Sequence, residues 1–252
     1  YMKQKKAAVR NEKVGIQVMK KNIENIFLFL FTIIVSALAA YFYHMEAIRI
    51  AGVIIIVTAG CGSVWFGIEK SSQEKSFLFD NEEHFGRFMA VYLLALLGSV
   101  AFPMLPVGGW PYLVIFIGLM LFSNQMIGIS VGSVLLMISV MLQGSDASTF
   151  FIYFIGGLVG ITVFSYVDKS FKIWLPLLVS LSVQMVCLSI QEVLLVNEVL
   201  NIYMFIIPAV NIMVCLILLL ILLKYFSFSI IYGSRNIYMD KISGKDFNRS
   251  EY

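Results

Sequence analysis

Few side chains in this 252-residue chain could do chemistry, and they are scattered. The two histidines, His44 and His84, are followed by Met45 and Phe85, so neither forms a His-Asp metal pair. Neither has a second ligand at zinc spacing. Asp146 and Asp168 fall in connections on opposite sides of the membrane in the topology below, so they do not pair as an aspartyl protease would. Neither histidine lies deep in an apolar segment, which argues against a Ser–His or HExxH site there. No GxxxxGK[ST] phosphate loop occurs. Cys61, Cys187 and Cys215 lie in apolar stretches without CxxC spacing, the pattern of buried free thiols rather than a disulfide frame. The chain reads as a non-enzyme, and no cofactor or metal is expected.

The polar residues inside apolar segments carry more information. Ser180, Gln184 and Gln191 stand at i, i+4 and i+11, nearly one helical face. Polar groups in a bilayer are costly and face protein or water. The stripe therefore reads as an interhelical hydrogen-bond network or, alternatively, as a substrate or ion path. Glu192 follows, close enough to an interface to be solvated. Pro208 and Asn211 share a later segment, where proline predicts a kink and Asn211 a bond to a neighbouring helix. Two small-residue motifs complete the set: Gly128 with Gly132, and Gly156, Gly157 and Gly160. Glycines four residues apart let a second backbone approach closely, either within the chain or at a dimer or partner interface.

The elements that must hold these residues are membrane helices. Hydrophobic residues make up 60% of the chain and charged residues 13%, against about half and a quarter in soluble domains. Eight apolar segments follow: 26–43, 48–67, 88–105, 112–122, 126–142, 150–166, 174–195 and 202–223. A span needs about 20 apolar residues, so 112–122 is short, and Ser123-Asn124-Gln125 marks its junction weakly. Residues 112–142 are read as two spans, with a re-entrant hairpin as the alternative. The expected fold is an all-α polytopic membrane protein with about eight transmembrane helices. Residues 1–25 form a basic cytoplasmic segment, 26–223 the membrane domain and 224–252 a cytoplasmic tail.

Lysine and arginine set the orientation. With both ends inside, all but one of the 18 basic residues fall on the inner side. The exception is Arg49. No small-residue cleavage site follows the first apolar run, so it reads as a span and not as a removable leader. The expected location is the plasma (inner) membrane, multi-pass. The outer loops are short, and Pro106-Val107-Gly108-Gly109-Trp110-Pro111 is a turn by composition. Trp110 and Tyr112 are expected at the headgroup level. Inside, residues 68–87 form a net acidic connector. The tail beyond Lys224 partly alternates around Gly233-Ser234, compatible with a small β-hairpin or with an interfacial stretch fraying into disorder.

Several stretches resemble the membrane region of the seven-transmembrane HD family, membrane-anchored cyclic dinucleotide phosphodiesterases. They are Phe79-Asp80-Asn81, Trp110-Pro111-Tyr112-Leu113, Met141-Leu142-Gln143-Gly144, Phe154 to Ile161 and Asp168-Lys169-Ser170-Phe171-Lys172. That family has a large outer domain where this chain has only His44 to Ala47, and its catalytic His-Asp pair has no counterpart here. The resemblance thus implies a membrane module without its soluble domains, and carries over no catalytic residue. Similar short spans also occur in rod-shape membrane proteins and in substrate-binding subunits of vitamin transporters. The sequence therefore reads first as a scaffold or signalling subunit acting through membrane lipids and protein partners or a second copy. A small-molecule transporter subunit and the membrane half of a phosphodiesterase are the alternatives. No nucleic-acid partner is expected.

Overall fold

A computed structural model describes residues 26–73, 85–165, 174–191 and 205–225. His84, Asp168, Glu192, most of the acidic connector and the whole tail pattern lie outside the described residues. Within them the regular structure is all helical, with eight α-helices and no strand. We number them α1 (Ile26–Phe42), α2 (Ala47–Gln73), α3 (Phe85–Ala101), α4 (Tyr112–Leu121), α5 (Gln125–Gln143), α6 (Ala147–Ser165), α7 (Trp174–Ile190) and α8 (Ile206–Tyr225). Five of them, α2, α3, α5, α6 and α8, are long and apolar enough to cross a membrane. This is a polytopic membrane protein.

Contacts give the helix directions. Thr32 meets Tyr92 and Tyr43 meets Val100, so α1 and α3 run parallel. Gly118 lies beside Val91 while Tyr112 lies beside Phe102, so α4 runs against α3. Tyr153 lies beside Trp110 and Tyr112 while Gly157 meets Phe116, placing α6 parallel to α4. Gly109 neighbours Ile207 and Phe122 neighbours Tyr225, so α8 is parallel to α4 as well. α1 therefore begins, and α8 ends, at the same end of the bundle.

The short fourth helix is the centre of the fold. It has ten residues, about 15 Å at 1.5 Å per residue, and nine of them are buried. Its sequence, Tyr112 to Leu121, is apolar on every side, and a helix of that kind belongs inside a bundle. α3, α5, α6 and α8 surround it. The weakly marked junction that follows is a capped turn. Asn124 Oδ1 accepts the Ile127 N–H at 2.8 Å, and the Ser123 hydroxyl donates to the Leu119 carbonyl. Such a cap supplies about 1 kcal/mol. Both halves of 112–142 are thus helices, the first shorter than a full span. At its other end α5 stops at Gly144, whose φ of 73° is left-handed, with Gly144 and Ser145 N–H both donating to the Val140 carbonyl at 3.1 Å.

The glycines let α4 sit this deep. A Cβ at Gly128 would come within 2.8 Å of Met120 Cβ and 2.9 Å of its Cα, so α4 and α5 touch backbone to backbone. The Phe116 ring fills the space that side chains at Gly132 and Gly157 would take, bolting α4 between α5 and α6. Gly160 accommodates Leu113 and Ile117. All these glycines are used inside the chain. Further out, Phe29 stacks on Trp65 at 5.7 Å to join α1 to α2, Gly60 receives Val134 to join α2 to α5, and α7 packs on α6. Replacing Gly157 by valine should cost about 1–3 kcal/mol through overpacking against Phe116. Gly52→Ala, with no atom within 4 Å of the added carbon, should leave stability unchanged or raise it. Thermal unfolding of both variants in mild detergent checks the contrast.

Candidate functional site

Between α3 and α4 the chain leaves the helix. Phe102–Met104 and Val107–Gly109 are single 3₁₀ turns, and the rest of 102–111 is irregular. Pro103, Pro106 and Pro111 account for the break. They also remove three N–H donors while every residue keeps its carbonyl, so the segment holds a surplus of acceptors. Side chains from elsewhere in the fold satisfy them.

Asn211 on α8 donates from one amide nitrogen to the Gly108 carbonyl at 2.8 Å and to the Trp110 carbonyl at 3.1 Å. Its own oxygen accepts from the Cys215 thiol at 3.3 Å. Tyr153 on α6 donates to the Val107 carbonyl and accepts the Trp110 N–H at 3.2 Å. The Trp110 indole N–H reaches the Leu105 carbonyl at 3.3 Å, and Gln143 of α5 reaches the same oxygen at 3.4 Å. Tyr43, just beyond α1, donates to the Val100 carbonyl at 2.9 Å. Trp110, Tyr112 and Tyr153 form one aromatic cluster with ring centroids 5.7–6.0 Å apart. Trp110 and Tyr112 are 0% exposed. The rings are packed inside the protein as props for the turn and do not face outward as lipid-facing anchors would.

One helical turn deeper, Tyr112 contacts the Leu135 carbonyl at 3.0 Å and the Ser139 hydroxyl, and Ser139 donates to the Ser99 carbonyl. Two hydroxyl protons serve three contacts here. The consistent arrangement has Ser139 donating to Ser99 and the Tyr112 proton shared between Ser139 and Leu135. These bonds tie α3, α4 and α5 together. Nothing in the local pattern marks Ser99 or Ser139 beyond their being hydroxyls in apolar helices. A tyrosine one turn before Gly156-Gly157 was a stronger signal for Tyr153, since a deep phenol needs a partner.

The α7 stripe behaves differently. Gln191 donates to Thr149 on α6 at 3.3 Å. Ser180 and Gln184 are 0% and 1% exposed, yet the Ser180 hydroxyl and both amide atoms of Gln184 have no hydrogen-bond partner. The Gln184 amide lies directly on Gly156, where any side chain would collide with its oxygen. The single interhelical network expected from these three residues is thus made by Gln191 alone. Pro208 falls in the first described turn of α8. Among the described residues no group of three His, Cys, Asp or Glu side chains is close enough to hold a metal ion, and the three cysteines are free thiols.

Comparison of the chain with protein-family models, with curated proteins and with solved structures gave no match in any of the three.

The two polar sets predict opposite responses to removal. Asn211→Leu strands two buried carbonyls and should cost about 1–3 kcal/mol for each group left without a partner. Gln184→Met removes an amide that has no partner and keeps the volume, so stability should hold or rise by about 1 kcal/mol. Unfolding midpoints measured side by side in one detergent distinguish them.

Proposed function

We propose that this chain is a non-enzymatic signalling or scaffold subunit of the plasma (inner) membrane, acting on protein partners through the end of α8. The observation that carries this reading is the fixing of α8 at both ends of α4. Asn211 holds it to the buried turn at one end, and Tyr225 meets Phe122 at 6.0 Å at the other. A change felt at 102–111 would reach the last helix, and the residues that follow it, as a displacement of one body. On the alternative reading, the membrane half of a phosphodiesterase, the same linkage would drive a cytosolic domain joined in cis.

Orientation supports the same reading. The end where α1 begins and α8 ends carries Lys70, Arg87 and Lys224, while Arg49 is at the opposite end. The basic residues favour the cytoplasmic side for that end, with both termini inside. Each lysine or arginine near an anionic leaflet adds about 1 kcal/mol.

The test is site-specific crosslinking in native membranes from positions just beyond Tyr225. A defined protein partner should be captured, and Asn211→Leu, at equal expression, should reduce its capture severalfold. A chain that runs as a lone monomer, with no crosslink from any tail position, would refute the proposal.

Gln184 and Ser180 favour a second reading, a membrane subunit that binds or moves a small hydrogen-bonding molecule along the α6–α7 seam. Unpartnered buried amides are costly and are retained where a ligand completes them. On this reading Gln184→Met abolishes uptake of the solute while expression and folding persist. Unchanged uptake would remove it.

A further inference from the structure

Outside the seam, one groove opens on the surface of the bundle between α2, α5 and α6. Its volume is about 340 Å³, and its walls include Ile56, Ala59, Gly60, Val134, Met137 and Phe150. Two hydroxyls also line it, Ser63 and Ser133. Both are spent within their own helices, on the Gly60 carbonyl at 2.7 Å and the Ile129 carbonyl at 2.6 Å. The groove offers dispersion contacts and no free donor, which suits a hydrocarbon chain and not a polar solute.

Charge at one mouth identifies what the hydrocarbon belongs to. Arg49 precedes Ile56 by seven residues and Gly60 by eleven, offsets that return to within about 20° of the same helix face. It therefore stands over the groove, about 10 Å along the α2 axis from Ile56. Between them Gly52 leaves open space: an added Cβ would meet nothing within 4 Å. Arg49 is exposed, and it is the one basic residue on its side of the sequence topology. Two exposed carboxylates share this end: Glu46, one turn before Arg49, and Asp146, four residues before Phe150. One guanidinium with two carboxylates disfavours a headgroup of net negative charge. It matches a zwitterion whose phosphate meets Arg49 and whose ammonium meets Glu46 or Asp146.

We propose that this groove is a binding site for one amine-bearing zwitterionic phospholipid, its acyl chain between α2, α5 and α6 and its phosphate on Arg49. The site is independent of the partner reading above. Native mass spectrometry of the full chain, delipidated in mild detergent and titrated with phosphatidylethanolamine or phosphatidylglycerol of identical acyl chains, tests it.

The unmodified chain should bind one phosphatidylethanolamine about tenfold more tightly than phosphatidylglycerol, the scale of one charge-assisted contact. Ala59→Phe, at an exposed position, should fill the groove and abolish binding of both. Arg49→Gln should weaken phosphatidylethanolamine by about the same tenfold. Replacing Glu46 and Asp146 together by their amides should erase the headgroup preference. Should Ala59→Phe disturb folding, Ser63→Leu blocks the far end of the groove. Undiminished binding in a folded groove-filling variant overturns the site. Equal binding of the two lipids, unmoved by Arg49→Gln, overturns the headgroup assignment.

Discussion

The fold depends on keeping a non-helical stretch of backbone satisfied where water is scarce. In hydrocarbon an unpaired carbonyl costs several kcal/mol, so irregular chain at membrane depth survives only when protein groups bond to it. Residues 102–111 are irregular and partly buried, and their three prolines leave more acceptors than donors. The segment cannot pair all of these groups internally. Further donors have to come from outside, and they do, from Gln143, Tyr153 and Asn211. Three helices, α5, α6 and α8, are thereby tied to one turn.

The short fourth helix follows from the same constraint. Because the turn is drawn in between neighbouring helices, α4 starts late and has ten residues in which to reach the next connection. A helix so short cannot hold itself in a bilayer by length, so close packing from all sides must hold it. Glycines on α5 and α6 supply the approach, and Phe116 fills the two hollows they leave at Gly132 and Gly157. The buried turn and the glycine collars are thus parts of one solution. The turn needs donors on α6 and α8; the collar glycines bring α6 near enough, and Gly118 on α4 admits Leu222 of α8.

Hydropathy made the helices legible: each of the eight apolar segments holds an α-helix among the described residues, and Gly-Pro content located the break at 106–111. The depth of that break was not legible. Trp110 and Tyr112 are amphipathic rings beside a turn, and the same local pattern describes an interfacial belt or a buried prop. The difference lies in partners that are remote in sequence, 43 residues away for Tyr153 and 101 for Asn211. The glycine spacing announced close approach, but nothing local said that both motifs close on α4. For the α7 stripe, periodicity placed Ser180, Gln184 and Gln191 on one face, and the structure agrees. What periodicity could not supply was the opposite surface, where glycine stands across from Gln184 and only Thr149 offers a partner.

That opposite surface gives α6 two unlike sides. Toward α4 it presents Tyr153, Gly157 and Gly160, where every polar group described has a partner and every hollow is filled. Toward α7 it presents Gly156 and Thr149, where the Ser180 hydroxyl, the Gln184 amide and the Gln191 amide oxygen go unpaired. Local opening is drawn from regions where fewest favourable contacts are lost. Displacing α7 from α6 would forfeit extensive helix–helix packing as well as the Gln191 hydrogen bond, against the relief of Gln184 and Ser180. Displacing α8 from α4 would strand two carbonyls. The α6–α7 seam is therefore held by close packing with poor polar pairing, whereas α8 is held to the turn before α4 by hydrogen bonds as well.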